Sequence, residues 1–207
     1  MKDKFSVIVF DLGNVLLPFD YQRAIDKLNE MEKGLGDYFI DFYNTNYQYH
    51  RAFERGDISE DEFTGIMLTA LGHKIDKETF CRLYSDVFSE NKEVVDLLPK
   101  LKRNYKLVLL SNTNIIHYKY GWKDYGFLED FDKLVVSYEA GANKPEKEIY
   151  RAVESFTGEK SANHFFIDDI AEYVDAAREI GWKGVQFKGY KDLLTELINR
   201  EILTYKD

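Results

Sequence analysis

Residues able to bind ions or to act as nucleophiles occur at four places in this sequence, three of them directly after short apolar runs. The four places are Asp11, Ser111 with Asn112, Lys144, and Asp168 with Asp169. A carboxylate can act as a nucleophile or bind a hard cation. A lysine, a hydroxyl and an amide can together stabilise an oxyanion. The pattern therefore predicts a site that holds a cation and an anion side by side.

Each of these residues also has an ordinary structural explanation when it is considered alone. Asp11 could cap a helix or a turn, and Lys144 could be a solvated loop residue. Asp168 and Asp169 are harder to explain, because adjacent carboxylates repel each other and need a divalent cation or a lysine beside them. The functional interpretation therefore depends on whether the fold brings the four places together.

Short runs rich in Val, Ile, Leu and Phe predict the strands that would do this. The predicted strands are residues 6–10, 105–110, 133–137, 164–167 and 184–187. The predicted core helices are residues 94–103, 115–125, 145–156, 171–180 and 190–205. We expect Pro145 in the first turn of its helix and a kink or break at Pro99. Apolar strands alternating with helices are typical of a parallel α/β sheet, and ligands bind at the carboxyl edge of such a sheet.

The stretch at residues 18–89 interrupts this alternation, because its apolar residues recur at helical spacing. The predicted helices are residues 21–31, 38–53, 59–71 and 77–88. Ser59 and Glu62 form a capping-box pattern at the start of one of them. The sequence thus predicts an α/β protein with a Rossmann-like, three-layer core of residues 1–17 and 90–207. A small all-helical domain of residues 18–89 is inserted after the first strand.

Composition restricts the possible partners and surroundings. The 207 residues include 28 basic and 37 acidic side chains, a net charge of −9, which disfavours nucleic acid as a partner. Cys81 is the single cysteine, so neither a disulfide framework nor a thiolate metal site is expected. The sequence shows no apolar run of membrane-spanning length and no leader cleavage pattern. We expect a cytoplasmic protein that does not bind membranes, as a monomer or a dimer.

The four places, taken in order along the chain, resemble the haloacid dehalogenase superfamily over nearly the whole sequence. The resemblance implies that Asp11 is the nucleophile, Ser111 the phosphate-binding hydroxyl, Lys144 the charge-balancing base, and Asp168 with Asp169 the metal acids. It also implies that residues 18–89 are a helical cap over the active site. Within the superfamily, residues 11–15, 54–59 and 111–114, together with His117, look most like the alpha-D-glucose-1-phosphate phosphatase group.

Such a site suits hydrolysis of a phosphate monoester, in which positioning and positive charge matter most. We expect Mg²⁺ to be held by Asp11, the Gly13 carbonyl and Asp169, with Asp168 binding through water or orienting Lys144. Lys144, Ser111 and Asn112 would bind the phosphoryl oxygens while Asp11 attacks and forms an aspartyl-phosphate. The favoured substrate is a small phosphorylated metabolite, most plainly a sugar phosphate.

One position departs from the superfamily pattern and leaves alternatives open. Most phosphatases of the superfamily carry a second Asp, the general acid and base, where this chain has Gly13. A general acid contributes about 10²- to 10⁴-fold, so a slower or more selective enzyme is expected. Tyr47, His50 or His117 could replace it. The alternatives are a catalytically silent phosphate- or partner-binding protein and, disfavoured by the paired acids, a 2-haloacid dehalogenase.

Overall fold

A five-stranded parallel sheet forms the centre of the computed structural model, which describes residues 5–204. The strands are β1 (Val7–Phe10), β2 (Lys106–Ser111), β3 (Lys133–Val136), β4 (His164–Asp168) and β5 (Lys183–Gln186). Each lies within one residue of its predicted bounds. The order across the sheet is β3-β2-β1-β4-β5, so the direction of winding reverses at β1. Ligands bind at such a reversal, beyond the carboxyl ends of the strands.

Between β1 and β2 lies a group of helices that we call the helical insert, residues 22–85. It comprises α1 (Gln22–Met31), α2 (Leu35–Thr45), α3 (Tyr47–Arg55), α4 (Glu60–Ala70) and α5 (Lys77–Ser85). Aromatic side chains dominate its core; Phe53 and Phe63, for example, stack with ring centroids 4.4 Å apart. The predicted capping box is present, since Ser59 accepts from the Glu62 backbone and Glu62 accepts from the Ser59 backbone. The division of the chain into two domains stays a prediction.

Helices cover both faces of the sheet, as an α/β fold requires. The remaining helices are α6 (Lys92–Val95), α7 (Leu98–Lys102), α8 (Ile115–His117), α9 (Ser137–Ala140), α10 (Lys147–Thr157), α11 (Ala171–Glu179) and α12 (Tyr190–Asn199). Ile8 and Phe10 of β1 pack in the cluster with α6, α7 and α12, whereas Val7 and Val9 pack with α10 and α11. This alternation follows from the two-residue period of a strand. Within residues 5–204, no helix is both long and apolar enough to span a membrane.

Several predicted helices are shorter or divided. The predicted helix at residues 38–53 is two helices that meet at Asn46, and the one at 94–103 divides just before Leu98, where Pro99 lies in the first turn of α7. The predicted helix at 115–125 is α8 followed by a π-helical turn at Tyr118–Trp122. Pro145 precedes its helix instead of beginning it, because the Glu146 N–H donates to the Asn143 carbonyl at 2.7 Å and closes a turn first.

The helical insert contacts the core beside Lys144. Arg55 pairs with Glu146, and the Asn143 side chain donates to the Arg51 carbonyl at 3.3 Å. Gly56 has a φ of +82° and ends α3 in the left-handed conformation that glycine favours. A Cβ atom there would lie 2.6 Å from the Tyr138 carbonyl oxygen. The backbone of the insert therefore lies directly against the backbone of α9.

Candidate active site

Three carboxylates meet at the carboxyl edge of the sheet, where winding reverses. Phe10 of β1 is paired with Ile167 of β4, so Asp11, which follows β1, and Asp168, the last residue of β4, lie at the same level. Oxygen atoms of Asp11, Asp168 and Asp169 lie within 4.8 Å of one another, and Asp11 and Asp168 are buried. The parallel register alone brings these acids together.

Lys144 lies between two of these acids and is 1% exposed. Its Nζ is 2.6 Å from Asp11 Oδ1 and 2.6 Å from Asp168 Oδ2. Burial acts to lower the pKa of Lys144, but the two carboxylates raise it above its ordinary value, so the side chain is an ammonium ion. The other oxygen of Asp168 accepts the Ile170 N–H at 2.8 Å, which fixes this carboxylate as a support for Lys144.

The charge balance of this cluster fits a bound divalent cation. Burial is the main cause that raises the pKa of Asp11 above its ordinary value, against the opposing attraction of Lys144, and burial also raises the pKa of the half-buried Asp169. A further cation beside these two groups would offset the effect of burial and stabilise their charged forms. Carboxylate oxygens are the ligands that Mg²⁺ prefers. Asp169 is held in place by the Asn14 side chain, which donates to it at 3.1 Å.

The turn after β2 lies beside Lys144. Ser111 is 2% exposed, and Ser137 holds the turn two residues later by accepting the Thr113 N–H and donating to the Thr113 carbonyl, both at 2.9 Å. Asn112 accepts the Lys144 N–H at 2.7 Å and donates to the Lys144 carbonyl at 3.0 Å. The side chain of Asn112, which the sequence assigns to the phosphoryl oxygens, is thus used to position Lys144. Its substrate-binding role stays a prediction for the backbone.

A cavity of about 320 Å³ opens above these groups. Its sheet side is lined by Asp11, Gly13, Ser111, Asn112, Lys144 and Asp169, and the insert lines it with Tyr43, Tyr47, His50, Arg51 and Glu54. Every predicted site residue except the buried Asp168 therefore lines one cavity. Phe19, Ile170 and Tyr173 border it as well. The volume suits a small molecule.

A buried chain of polar groups runs from the insert to the turn after β2. His50 Nε2 lies 3.0 Å from Glu54 Oε1, and His50 Nδ1 lies 2.8 Å from the Tyr84 hydroxyl. The Asn114 side chain contacts the same hydroxyl at 3.4 Å. Sequence reasoning considered His50 as a proton donor and placed Glu54 only within the segment 54–59 that carries the family resemblance, without a role of its own, and it missed Tyr84. The spacing of four residues between His50 and Glu54 on one helix face was the available signal for Glu54. No sequence spacing indicates Tyr84, which comes from α5.

His117 also lines the cavity and is buried among aromatic rings. Its ring centroid is 4.3 Å from that of Tyr84, and its Nε2 has no hydrogen-bond partner among residues 5–204. Burial lowers the pKa of His117 to about 3, with His50 as a second cause and a hydrogen bond to the Tyr84 backbone opposing both. His117 is therefore a neutral imidazole near pH 7.

Comparison with known proteins identifies the family to which this protein belongs. A model of the family described as haloacid dehalogenase-like hydrolase matches residues 5–181. The chain is 26% identical over 199 residues to a D-ribitol-5-phosphate phosphatase of Bacteroides thetaiotaomicron, covering 92% of this chain and 95% of that protein. The matched range includes β1 to β4, whose carboxyl ends carry the site, and ends before β5.

Solved structures agree with the sequence comparison. One is a haloacid dehalogenase family enzyme of Bacteroides thetaiotaomicron in complex with magnesium and inorganic phosphate, with a TM-score of 0.74, 28% identity, and coverage of 89% of this chain and 94% of that one. Another is an L-2-haloacid dehalogenase of Xanthobacter autotrophicus, with a TM-score of 0.64, 19% identity, and coverage of 96% and 84%. At that identity the second likeness concerns the fold alone.

Proposed function

The chain belongs to the haloacid dehalogenase-like hydrolases, and from this premise we propose that it is a magnesium-dependent phosphatase of a small phosphorylated sugar or sugar alcohol. The observation that carries the proposal is Lys144 placed between Asp11 and Asp168 at the edge of the cavity. The phosphatase among the relatives and the magnesium and phosphate bound in a structural neighbour support it. The helical insert would act as the cap over the substrate.

The proposed metal ligands are Asp11, the Gly13 carbonyl and Asp169, and of the two roles predicted for Asp168 its contacts favour the orientation of Lys144 over binding through water. A magnesium ion bound there supplies positive charge to the phosphoryl oxygens. The cavity needs this charge, because Lys144 is already paired with two carboxylates. Asn14 would hold Asp169 toward the ion through the hydrogen bond between their side chains.

Asp11 would attack the phosphorus atom in line with the leaving oxygen. The bond from phosphorus to that oxygen breaks, and the leaving oxygen takes a proton to become a hydroxyl. The product on the enzyme is an aspartyl-phosphate, which water hydrolyses to inorganic phosphate and free Asp11. Lys144 and Ser111 would bind the phosphoryl oxygens during both steps, so the charge spread over them is stabilised.

Gly13 supplies no proton for the leaving oxygen, and the three substitutes suggested by the sequence differ in what they can donate. Both ring nitrogens of His50 are hydrogen-bonded. Burial lowers the pKa of the His117 ring to about 3, so this histidine does not hold a second proton to donate near pH 7. Tyr47 lines the cavity and its hydroxyl makes no hydrogen bond to any residue in 5–204. We therefore assign proton donation to Tyr47, a hypothesis that Tyr47→Phe tests.

The deciding experiment measures phosphate release from sugar phosphates, sugar alcohol phosphates and acetyl phosphate, with magnesium and with a chelator. Asp11→Asn is assayed in parallel, with Asp20→Asn as the matched control, because Asp20 lies outside the cavity and its backbone contact survives the change. We expect release that needs magnesium and is lost in Asp11→Asn alone. Release that persists in Asp11→Asn would contradict the proposal.

Gly13 favours one other candidate, a phosphate-binding protein without turnover. It predicts magnesium-dependent phosphate binding by the wild-type protein, with no release from any compound in the panel. A dehalogenase would instead release halide from a 2-haloacid without added metal. The same preparations distinguish these outcomes by calorimetry with inorganic phosphate and by a halide assay.

A further inference from the structure

We propose that Glu54 and His117 form a hydroxyl-binding subsite that selects an uncharged, polyhydroxylated leaving group. This inference rests on the proposed phosphatase function and names the part of the substrate that the insert recognises. Both side chains line the cavity, and both are buried, at 7% and 6% exposure. Both retain hydrogen-bonding capacity that the described residues do not use, as the following contacts show.

Glu54 retains acceptor capacity after its protein contacts are made. Its Oε1 is 3.0 Å from His50 Nε2 and its Oε2 is 3.3 Å from Arg51 Nη1. A carboxylate has about four acceptor positions, so two contacts leave about two for a ligand. A buried acceptor without a partner is unfavourable, which makes a hydroxyl donor in the cavity stabilising.

The orientation of Glu54 is fixed by the polar chain behind it. A carboxylate only accepts, so His50 must carry its proton on Nε2 and its Nδ1 accepts from the Tyr84 hydroxyl at 2.8 Å. That hydroxyl can in turn accept from the Asn114 side chain at 3.4 Å. Each donor in this series of hydrogen bonds, from Asn114 through Tyr84 and His50, then points toward Glu54. His50 is thus a positioning residue for the carboxylate.

His117 supplies the second polar contact. The Nε2 atom of its ring is buried and has no hydrogen-bond partner among the described residues. A hydroxyl group can satisfy Nε2 in either tautomer of the neutral ring, because a hydroxyl both donates and accepts, whereas an alkyl chain cannot.

The charges on the cavity wall exclude a second anionic group. Lys144 and Arg51 are the lysine and arginine side chains that line the cavity within residues 5–204. Lys144 pairs with Asp11 and Asp168, and Arg51 pairs with Glu54. Within the same range the wall carries three carboxylates, Asp11, Glu54 and Asp169, against these two cations, so a carboxylate or second phosphate on the leaving group would meet no excess of positive charge beside Glu54. The geometry points to a sugar alcohol or sugar, bearing one phosphate and no other charge.

The test compares substrates that differ only at the end remote from the phosphate. A five-carbon sugar alcohol phosphate ends in a hydroxymethyl group, and the matching phosphorylated sugar acid ends in a carboxylate. We expect the wild-type enzyme to show kcat/KM at least about tenfold higher for the alcohol, mostly through KM. Equal kcat/KM values for the two compounds would overturn the inference. The phosphatase function would still stand in that case if the wild-type enzyme hydrolysed acetyl phosphate and Asp11→Asn did not.

Variants assign the selectivity to residues. Glu54→Gln should lower the preference for the alcohol over the acid at least about fivefold, because the repelling charge is gone. His117→Phe should lower kcat/KM for the alcohol more than for acetyl phosphate, which has no hydroxyl. Tyr49→Phe, an exposed residue on the same helix as Glu54 and outside the cavity lining, is the matched control and should keep the wild-type ratios.

The outcomes separate the two proposals even if a variant is poorly folded. The wild-type preference needs no substitution, so it decides the inference without any variant. An unchanged alcohol-to-acid ratio in a folded Glu54→Gln enzyme would show that another group sets selectivity. Failure of the wild-type protein to hydrolyse any compound, acetyl phosphate included, would overturn both the proposed function and the subsite that rests on it.

Discussion

Asn112 holds the backbone of Lys144 on both sides, accepting its N–H at 2.7 Å and donating to its carbonyl at 3.0 Å. The position of the ammonium group between Asp11 and Asp168 therefore depends on an amide from the neighbouring strand end. A side chain that could have bound substrate instead fixes the backbone from which Lys144 projects.

Asn112→Ala should lower both stability and turnover. The change leaves the Lys144 N–H and carbonyl without these partners, which destabilises the fold by about 1–3 kcal/mol per buried group. We expect kcat to fall at least about tenfold, because Lys144 loses its fixed position. Urea unfolding and phosphate release measure the two effects. Asn104→Ala, at an exposed turn, is the control, and equal effects in both variants would contradict this role.

Gly13→Asp should raise the rate on substrates with poor leaving groups. A Cβ at position 13 would meet the Phe19 ring at 3.3 Å, a contact that the 43% exposed ring can relieve by a small shift. The added carboxyl could donate the missing proton, a contribution of about 10²-fold or more. Gly13→Ala adds the Cβ without the acid and should give no gain. A gain in both variants would mean that packing, and not proton transfer, limits the rate.

Asp169→Asn should weaken activation by magnesium. Removing one charged ligand lowers the affinity of the proposed site for a hard cation, and we expect the magnesium concentration for half-maximal activity to rise at least about tenfold. Asp175→Asn, at an exposed position of α11, serves as the control. An unchanged magnesium dependence in Asp169→Asn would place the ion elsewhere.

His117 should make the fold less stable as the pH falls below about 6.5. The pKa of His117 is about 3 in the folded protein and 6.5 for an ordinary histidine, so the unfolded chain binds a proton first. Its contribution to stability is complete above pH 6.5 and is lost progressively toward pH 3. Between pH 6.5 and 5 the loss is about 2 kcal/mol. In His117→Phe, urea unfolding should show a correspondingly smaller pH dependence; an equal dependence would contradict the assignment.

Cys81 should resist alkylation while the protein is folded. Its side chain is fully buried, and burial raises the pKa of the thiol to about 11, so very little thiolate exists at pH 8. We expect iodoacetamide to modify Cys81 at least about 100-fold more slowly in buffer than in 6 M guanidinium, as followed by mass spectrometry. Comparable rates would show that the core of the insert opens readily.

The sheet and the grouping of its site residues could be predicted from sequence because both depend on local rules. Apolar runs of strand length identify β1 and β4, and the parallel register places the residues after them at one edge. Asp11, Asp168 and Asp169 meet for that reason alone. Lys144 was recognisable as a cation in need of anionic partners, and the structure supplies two.

The remaining details depend on tertiary contacts that no local pattern records. Tyr84 reaches His50 because α3 and α5 contribute side chains to one core cluster of the insert. The Asn112 amide turns toward Lys144 because that backbone lies within reach. The start of α10 after Pro145 depends in the same way on a turn closed by Glu146 and Asn143. Helix ends and side-chain partners are therefore the features that sequence periodicity predicts least well.

The close approach of Gly56 to the Tyr138 carbonyl limits how this protein could be rebuilt by recombination. An insert transplanted from another family member would need glycine at the same point, since any side chain would collide with the backbone of α9. A transplanted insert that made every other contact but carried alanine at this point would be displaced from its position next to Lys144. Compatibility between exchangeable modules would thus be decided by one residue that touches neither substrate nor metal.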